Sequence, residues 1–252
     1  MNSSATSLVI PARFCGPPAS ANGGYFCGMV ASLATQTLTV RLTKPPPLDV
    51  GLDAEISEQD GGITVRHGAD VVAQARVSPP LVLEPPAPPT YVETLDASIH
   101  YPGFTDHPYP TCFVCGPQRA QGDGLRVFAG PVVGREIFAA PWVPDASLDG
   151  GDGKVRPEFM WAAMDCPGCF AANKTGRGSW LLGEFTAHVD RRVHVGEPCQ
   201  VVAWHIGSKG RKHEAGTALF DGDGELCARA KAIWIEPIAA EPLAATASAP
   251  AK

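Results

Sequence analysis

Apolar residues follow two kinds of pattern along the chain, and the same order of patterns occurs twice. Residues 71–77 (VVAQARV) and 226–232 (LCARAKA) alternate small or apolar residues with polar ones at a period of two, which predicts half-buried strands. Each stretch follows a turn-rich hairpin and two earlier strand patterns. Both halves open with an apolar segment of helical length, at 23–34 and 158–172. The sequence therefore predicts a helix followed by four strands, twice.

A helix that is apolar on every side must be buried all round. One helix ahead of an antiparallel meander achieves this burial if the sheet curls about it. We therefore expect an α+β fold with two copies of a long central helix wrapped by a curled antiparallel sheet, in residues 1–78 and 112–238. The proline-rich segment 79–111 predicts an extended linker without regular helix, and residues 239–252 predict a disordered tail.

Composition and charge narrow the classes of function. The 252 residues are 44% apolar and 18% charged, which is typical of a globular protein. The net charge is −6 and the basic residues are scattered, which argues against a nucleic-acid partner. The sequence has no apolar run of about 18 residues and no signal-peptide pattern at its start, so we expect a cytoplasmic protein without a membrane partner.

The helix followed by a long meander, with Gly23 and Gly24 opening the first helix, resembles the hotdog fold, here as a tandem double hotdog. The resemblance covers roughly residues 8–77 and 112–236. Members of that superfamily are mostly acyl-CoA thioesterases, with dehydratases and hydratases as a minority, and their sites lie between two paired units. The resemblance implies an acyl-CoA substrate, no cofactor, and association of copies of the chain into a homo-oligomer.

The parts of one further motif lie in different helices. In single-hotdog thioesterases of the phenylacetate-pathway type, the matching helix begins His-Gly-Gly and carries an aspartate nine residues after the histidine. The first half reads NGG at 22–24 but has Ala31 at the position of the acid. The second half has the acid, Asp165, but proline and glutamate follow Arg156 where the glycines should stand. Each half keeps what the other lacks, so the resemblance implies one composite site per chain.

The chemistry of four residues suits thioester hydrolysis at such a site. N–H groups of Gly23 and Gly24 at a helix start can stabilise negative charge on the thioester oxygen. Asn22 can donate a hydrogen bond to the same oxygen or cap the helix. Asp165 can activate a water or attack directly. The alternatives are close helix packing or a turn for the glycines, and an N-cap or a satisfied core polar group for Asp165.

Other residues are candidates for substrate binding. We expect apolar side chains of the two helices to line the acyl channel, namely Tyr25, Phe26, Met160 and Trp161. For the nucleotide end of coenzyme A, the candidates are Lys209 and Arg211, in the basic run at 208–213, and Arg177. A solvated hairpin is the alternative interpretation of the basic run.

Two of the cysteine spacings are of the CxxC type, Cys112 with Cys115 and Cys166 with Cys169. Four thiolates suit tetrahedral zinc. However, about 50 residues separate the two pairs and the second pair lies in an apolar helix, so we expect buried thiols and no metal site.

The sequence as a whole predicts an acyl-CoA thioesterase. Because each half has lost part of the ancestral motif, a non-catalytic protein that binds acyl-CoA or another acyl ligand is the competing interpretation. A hotdog enoyl-CoA hydratase or dehydratase is a third interpretation. In the hydratases of that superfamily a histidine follows the aspartate by about five residues, but here a phenylalanine stands five residues after Asp165.

Overall fold

The computed structural model describes residues 5–173 and 179–238. An antiparallel sheet of eleven strands runs through these residues. The strands of the first half are β1 (Ala5–Val9), β2 (Leu38–Leu42), β3 (Gly51–Ile56), β4 (Ile63–His67) and β5 (Asp70–Val77). Those of the second half are β6 (Gly130–Pro131), β7 (Phe138–Trp142), β8 (Leu181–Val189), β9 (Cys199–Lys209), β10 (Lys212–Phe220) and β11 (Leu226–Ile235). The α-helices are α1 (Gly23–Ala31), α2 (Tyr91–Ile99), α3 (Pro157–Ala163) and α4 (Cys166–Asn173).

The strand order repeats between the halves. It is β1-β3-β4-β5-β2-β8-β11-β10-β9-β7-β6, so β8, β11, β10, β9 and β7 occupy the places of β2, β5, β4, β3 and β1. At the centre, β2 pairs antiparallel with β8, with Val40 opposite Phe185. The hydroxyl oxygens of Thr39 and Thr186 lie 2.7 Å apart across this seam. The strands predicted at 71–77 and 226–232 are confirmed as β5 and β11.

Glycines allow α1 to pack closely on α3. A Cβ atom on Gly24 would lie 2.5 Å from Cβ of Asp165 and 2.9 Å from the carbonyl oxygen of Trp161. One on Gly28 would lie 2.7 Å from Cα of Glu158. Since carbon atoms in contact are separated by about 3.5–4.0 Å, a side chain fits at neither position. Close helix packing, one of the alternatives for the glycine pair, therefore applies to Gly24.

The apolar segment 158–172 forms two helices where the sequence predicts one. The first, α3, ends at Ala163 and α4 begins at Cys166. Pro167 lies in the first turn of α4, where the hydrogen bond that a proline cannot donate is not needed. The turn between the helices leaves Asp165 at the junction.

The segment 79–111 also differs from the prediction, because it contains α2. Thr90 and Glu93 form a capping box at its start, in which Glu93 accepts a hydrogen bond of 2.7 Å from the backbone nitrogen of Thr90. Ala97 of α2 is buried against Val132 and Ile137 in a small apolar cluster. The predicted tail at 239–252 lies outside the described residues. None of the described helices has the length and hydropathy that a membrane span requires.

Candidate active site

A cavity of about 800 Å³ lies beside the start of α1 and the junction of α3 with α4. Both halves supply its mainly apolar wall, which includes Leu42, Pro46, Phe170, Trp180, Leu182 and Trp234. Three of the four predicted catalytic residues, Asn22, Gly23 and Asp165, also line it.

Asp165 is held by hydrogen bonds from the other half of the chain. Its Oδ2 atom accepts one from the backbone nitrogen of Gly24 at 2.9 Å and one from Nδ2 of Asn22 at 2.8 Å. The side chain is 2% exposed, and its Oδ1 atom makes no hydrogen bond to the described residues. The fold thus brings Asn22, Gly24 and Asp165 together around one carboxylate.

The surroundings of Asp165 make it a stronger base than an exposed aspartate. Burial raises the pKa of its carboxyl group to about 7, because removal from water disfavours the charged form. The hydrogen bond from Gly24 opposes this rise in pKa, the nearby Cys112 adds to it, and the hydrogen bond from Asn22 opposes it.

The side chain of Asn22 makes two hydrogen bonds at the start of α1. Its Oδ1 atom accepts a hydrogen bond of 2.9 Å from the backbone nitrogen of Tyr25, which caps the helix. Its Nδ2 atom donates to Asp165. The amide donors of Asn22 and Gly24 therefore serve the carboxylate in this structure, and their role toward a substrate oxygen stays a prediction.

Solved structures resemble the chain over most of its length. A tesB protein of Mycobacterium avium subspecies paratuberculosis aligns with a TM-score of 0.63 and 15% identity, over 93% of each chain. A candidate thioesterase from Novosphingobium aromaticivorans aligns with a TM-score of 0.60 and 13% identity, over 94% of this chain and 97% of that one. A protein of unknown function with a hotdog fold, from Alicyclobacillus acidocaldarius, aligns at 0.53 and 11%, over 94% and 95%. This chain has the hotdog fold. No family model matches it, and no curated protein matches its sequence.

The cavity of this hotdog protein is not lined by the side chains that the sequence predicts for an acyl channel. Tyr25, Phe26, Met160 and Trp161 are each at most 6% exposed and do not line the cavity. Tyr25 stacks on Phe14 with ring centroids 4.3 Å apart. Because α1 and α3 pack so closely, their large side chains fill the core, and α4, strands and loops supply most of the cavity wall.

The predicted cations are dispersed in the hotdog fold. Arg211 lines the cavity, and its Nη1 atom donates to the carbonyl oxygen of Glu236 at 2.9 Å. Lys209 ends β9 outside the cavity lining, and Arg177 lies outside the described residues. Lys44, which the sequence reasoning missed, lines the cavity just after β2. Its position between a strand and a run of three prolines was the available signal.

Three cysteines meet beside Asp165. The Sγ atoms of Cys112, Cys115 and Cys166 all lie within 4.8 Å of one another, whereas Cys169 is not in this group. Hydrogen bonds from the Cys115 and Cys166 thiols lower the pKa of the Cys112 thiol well below its ordinary value. The two CxxC spacings were the available signal, but they do not predict this contact, because about 50 residues separate the pairs and Cys166 reaches the other two only through the tertiary fold.

Proposed function

We propose that this hotdog protein hydrolyses an acyl-CoA thioester at a composite site between its two halves. One observation carries the proposal: the second half supplies a buried carboxylate, Asp165, and the first half binds it with Asn22 and Gly24 at the wall of an apolar cavity. The repeated strand order supports a tandem of two hotdog units, in residues 1–78 and 112–238.

In the proposed reaction, Asp165 takes a proton from the attacking water. Two donors hold its Oδ2 atom, and Oδ1, which is buried and makes no hydrogen bond to the described residues, accepts the proton from a water that enters beside it. The water oxygen adds to the thioester carbonyl carbon, and the resulting oxyanion collapses with loss of the thiolate. The thiolate then takes the proton from Asp165, which restores the carboxylate, so the products are a carboxylic acid and free coenzyme A.

The start of α1 can stabilise the oxyanion of this reaction. Gly23 lines the cavity at the positive end of the helix dipole, and Leu182 packs 2.8 Å from the position that a Cβ atom of Gly23 would take. The apolar wall suits an acyl chain. Arg211 and Lys44, whose Nζ atom lies 2.6 Å from Oδ1 of Asp70, supply positive charge for the phosphates of coenzyme A.

One observation favours a second candidate, a protein that binds acyl-CoA without hydrolysing it. The carboxylate of Asp165 already accepts hydrogen bonds from Asn22 and Gly24, and these same donors would stabilise an oxyanion. If that arrangement persists with substrate bound, the carboxylate serves to hold the helix start rather than to activate water.

Two measurements on the purified protein separate the candidates. The protein is incubated with straight-chain acyl-CoAs of increasing length and with an aromatic acyl-CoA, and free thiol and the melting temperature are followed. Thiol release with multiple turnovers supports hydrolysis. A higher melting temperature without thiol release supports the binding protein, and neither effect with any acyl-CoA contradicts both.

A further inference from the structure

We propose that Cys112, Cys115 and Cys166 bind a zinc ion at the wall of the cavity. Their three Sγ atoms lie within 4.8 Å of one another, and those of Cys112 and Cys166 are 3.8 Å apart. Two thiolates on one tetrahedral zinc are also about 3.8 Å apart, because each Zn–S bond is about 2.3 Å long. All three residues are buried and line the cavity, so the fourth coordination position is left for a water or a ligand atom there.

The backbone around the first two cysteines has the form of a metal-binding knuckle. The CxxC spacing is typical of zinc ligands that share one turn. The backbone nitrogen of Gly116 donates to the carbonyl oxygen of Cys112 at 2.9 Å, and a Cβ on Gly116 would lie 2.5 Å from that oxygen. The turn therefore requires glycine.

Side chains next to the sulfurs supply further donors. The backbone nitrogen of Tyr109 donates to Nδ1 of His107 at 2.9 Å, which assigns the remaining ring proton to Nε2. Nε2 in turn lies 3.3 Å from Sγ of Cys115, and Nδ2 of Asn22 lies 3.7 Å from Sγ of Cys166. Three thiolates with one zinc ion carry a net charge of −1, and such donors stabilise it.

The other cysteines distinguish this cluster from ordinary buried thiols. Among the described residues, these three form the only group of potential metal ligands within bonding range of one ion. Cys169, the second cysteine of the CPGC sequence, is outside the group, and Cys227 contacts the carbonyl oxygen of Glu225. Three of the eight cysteines are therefore the proposed ligands, and Cys169 and Cys227 serve as matched controls.

Metal analysis of the full chain, purified without added metal, tests the proposal. We expect about one zinc ion per chain. Replacement of Cys112, Cys115 or Cys166 by Ser should reduce the zinc content at least about tenfold, whereas Cys169→Ser and Cys227→Ser should keep it. His107→Phe removes only an outer donor and should weaken zinc affinity by about tenfold or more.

Cobalt substitution keeps the test decisive if the serine variants do not fold. Wild-type protein stripped of metal and loaded with Co²⁺ should show intense thiolate-to-cobalt absorption and the visible bands of a tetrahedral ion. Absence of both zinc and these bands would overturn the proposal. So would loss of metal from Cys169→Ser together with its retention in Cys166→Ser.

Discussion

The Oδ2 atom of Asp165 lies 2.9 Å from the backbone nitrogen of Gly24, which is 141 positions earlier in the chain. This hydrogen bond joins the start of α1 in the first half to the junction of α3 and α4 in the second. Asp165 can come so near only because Gly24 has no Cβ atom. One contact thus unites helix packing with the proposed chemistry, and substitutions can separate the two.

Gly24→Ala tests the packing role. The new Cβ would lie 2.5 Å from Cβ of Asp165 and would force α1 and α3 apart. We expect the free energy of unfolding to fall by about 1–3 kcal/mol, as overpacking of a core does. Urea denaturation followed by circular dichroism measures this change.

Gly207→Ala is the matched control, because a Cβ on Gly207 has no atom within 4 Å. Its free energy of unfolding should stay within about 0.5 kcal/mol of the wild type. If Gly24→Ala were as stable as this control, the close packing of the two helices would be contradicted.

Asn22 allows its capping and donor roles to be separated. Asn22→Ala removes the acceptor for the backbone nitrogen of Tyr25 and should lower stability by about 1 kcal/mol. Asn22→Ser keeps a capping oxygen and should recover most of that loss. Neither variant donates to Asp165 from Nδ2, so both should have a lower kcat for thioester hydrolysis. Wild-type kcat in Asn22→Ser would show that the donor has no part in the reaction.

The hydroxyl contact across the central seam predicts a measurable coupling. Oγ1 of Thr39 lies 2.7 Å from Oγ1 of Thr186, and Thr39 is buried. Each single change to Val leaves the partner hydroxyl without this hydrogen bond, whereas the double change removes both groups. We expect a coupling energy of about 0.5–1.5 kcal/mol from a double-mutant cycle in urea. Strictly additive effects would mean that the two hydroxyls do not stabilise the pairing of β2 with β8.

Local patterns were enough to predict several elements. The alternation at 71–77 and 226–232 predicts β5 and β11, because the period of side chains in a strand depends only on neighbouring residues. The capping box of Thr90 and Glu93 was an equally local signal for α2. The prediction of a linker without regular helix rests on the surrounding prolines alone, although none of them lies within the nine residues of the helix.

The arrangement of the site could not be predicted from local patterns, because it depends on contacts between residues that are far apart in the chain. The position of Asp165 relative to the first helix could be expected only through the hotdog resemblance. The resemblance does not predict that Asn22 and Gly24 donate their hydrogen bonds to Asp165, because this depends on how closely α1 approaches α3. Cys166 likewise meets Cys112 only after α3 and α4 have packed into the fold.

Asp165→Asn tests the proposed site most directly, with thiol release from the best acyl-CoA and the melting temperature measured together. Asparagine keeps the shape and an oxygen to accept from Gly24, but it cannot take a proton from water. We predict that kcat falls at least about 100-fold while the protein stays folded, and that Asp53→Asn, at an exposed position of β3, keeps wild-type activity. Wild-type turnover by folded Asp165→Asn would contradict the account.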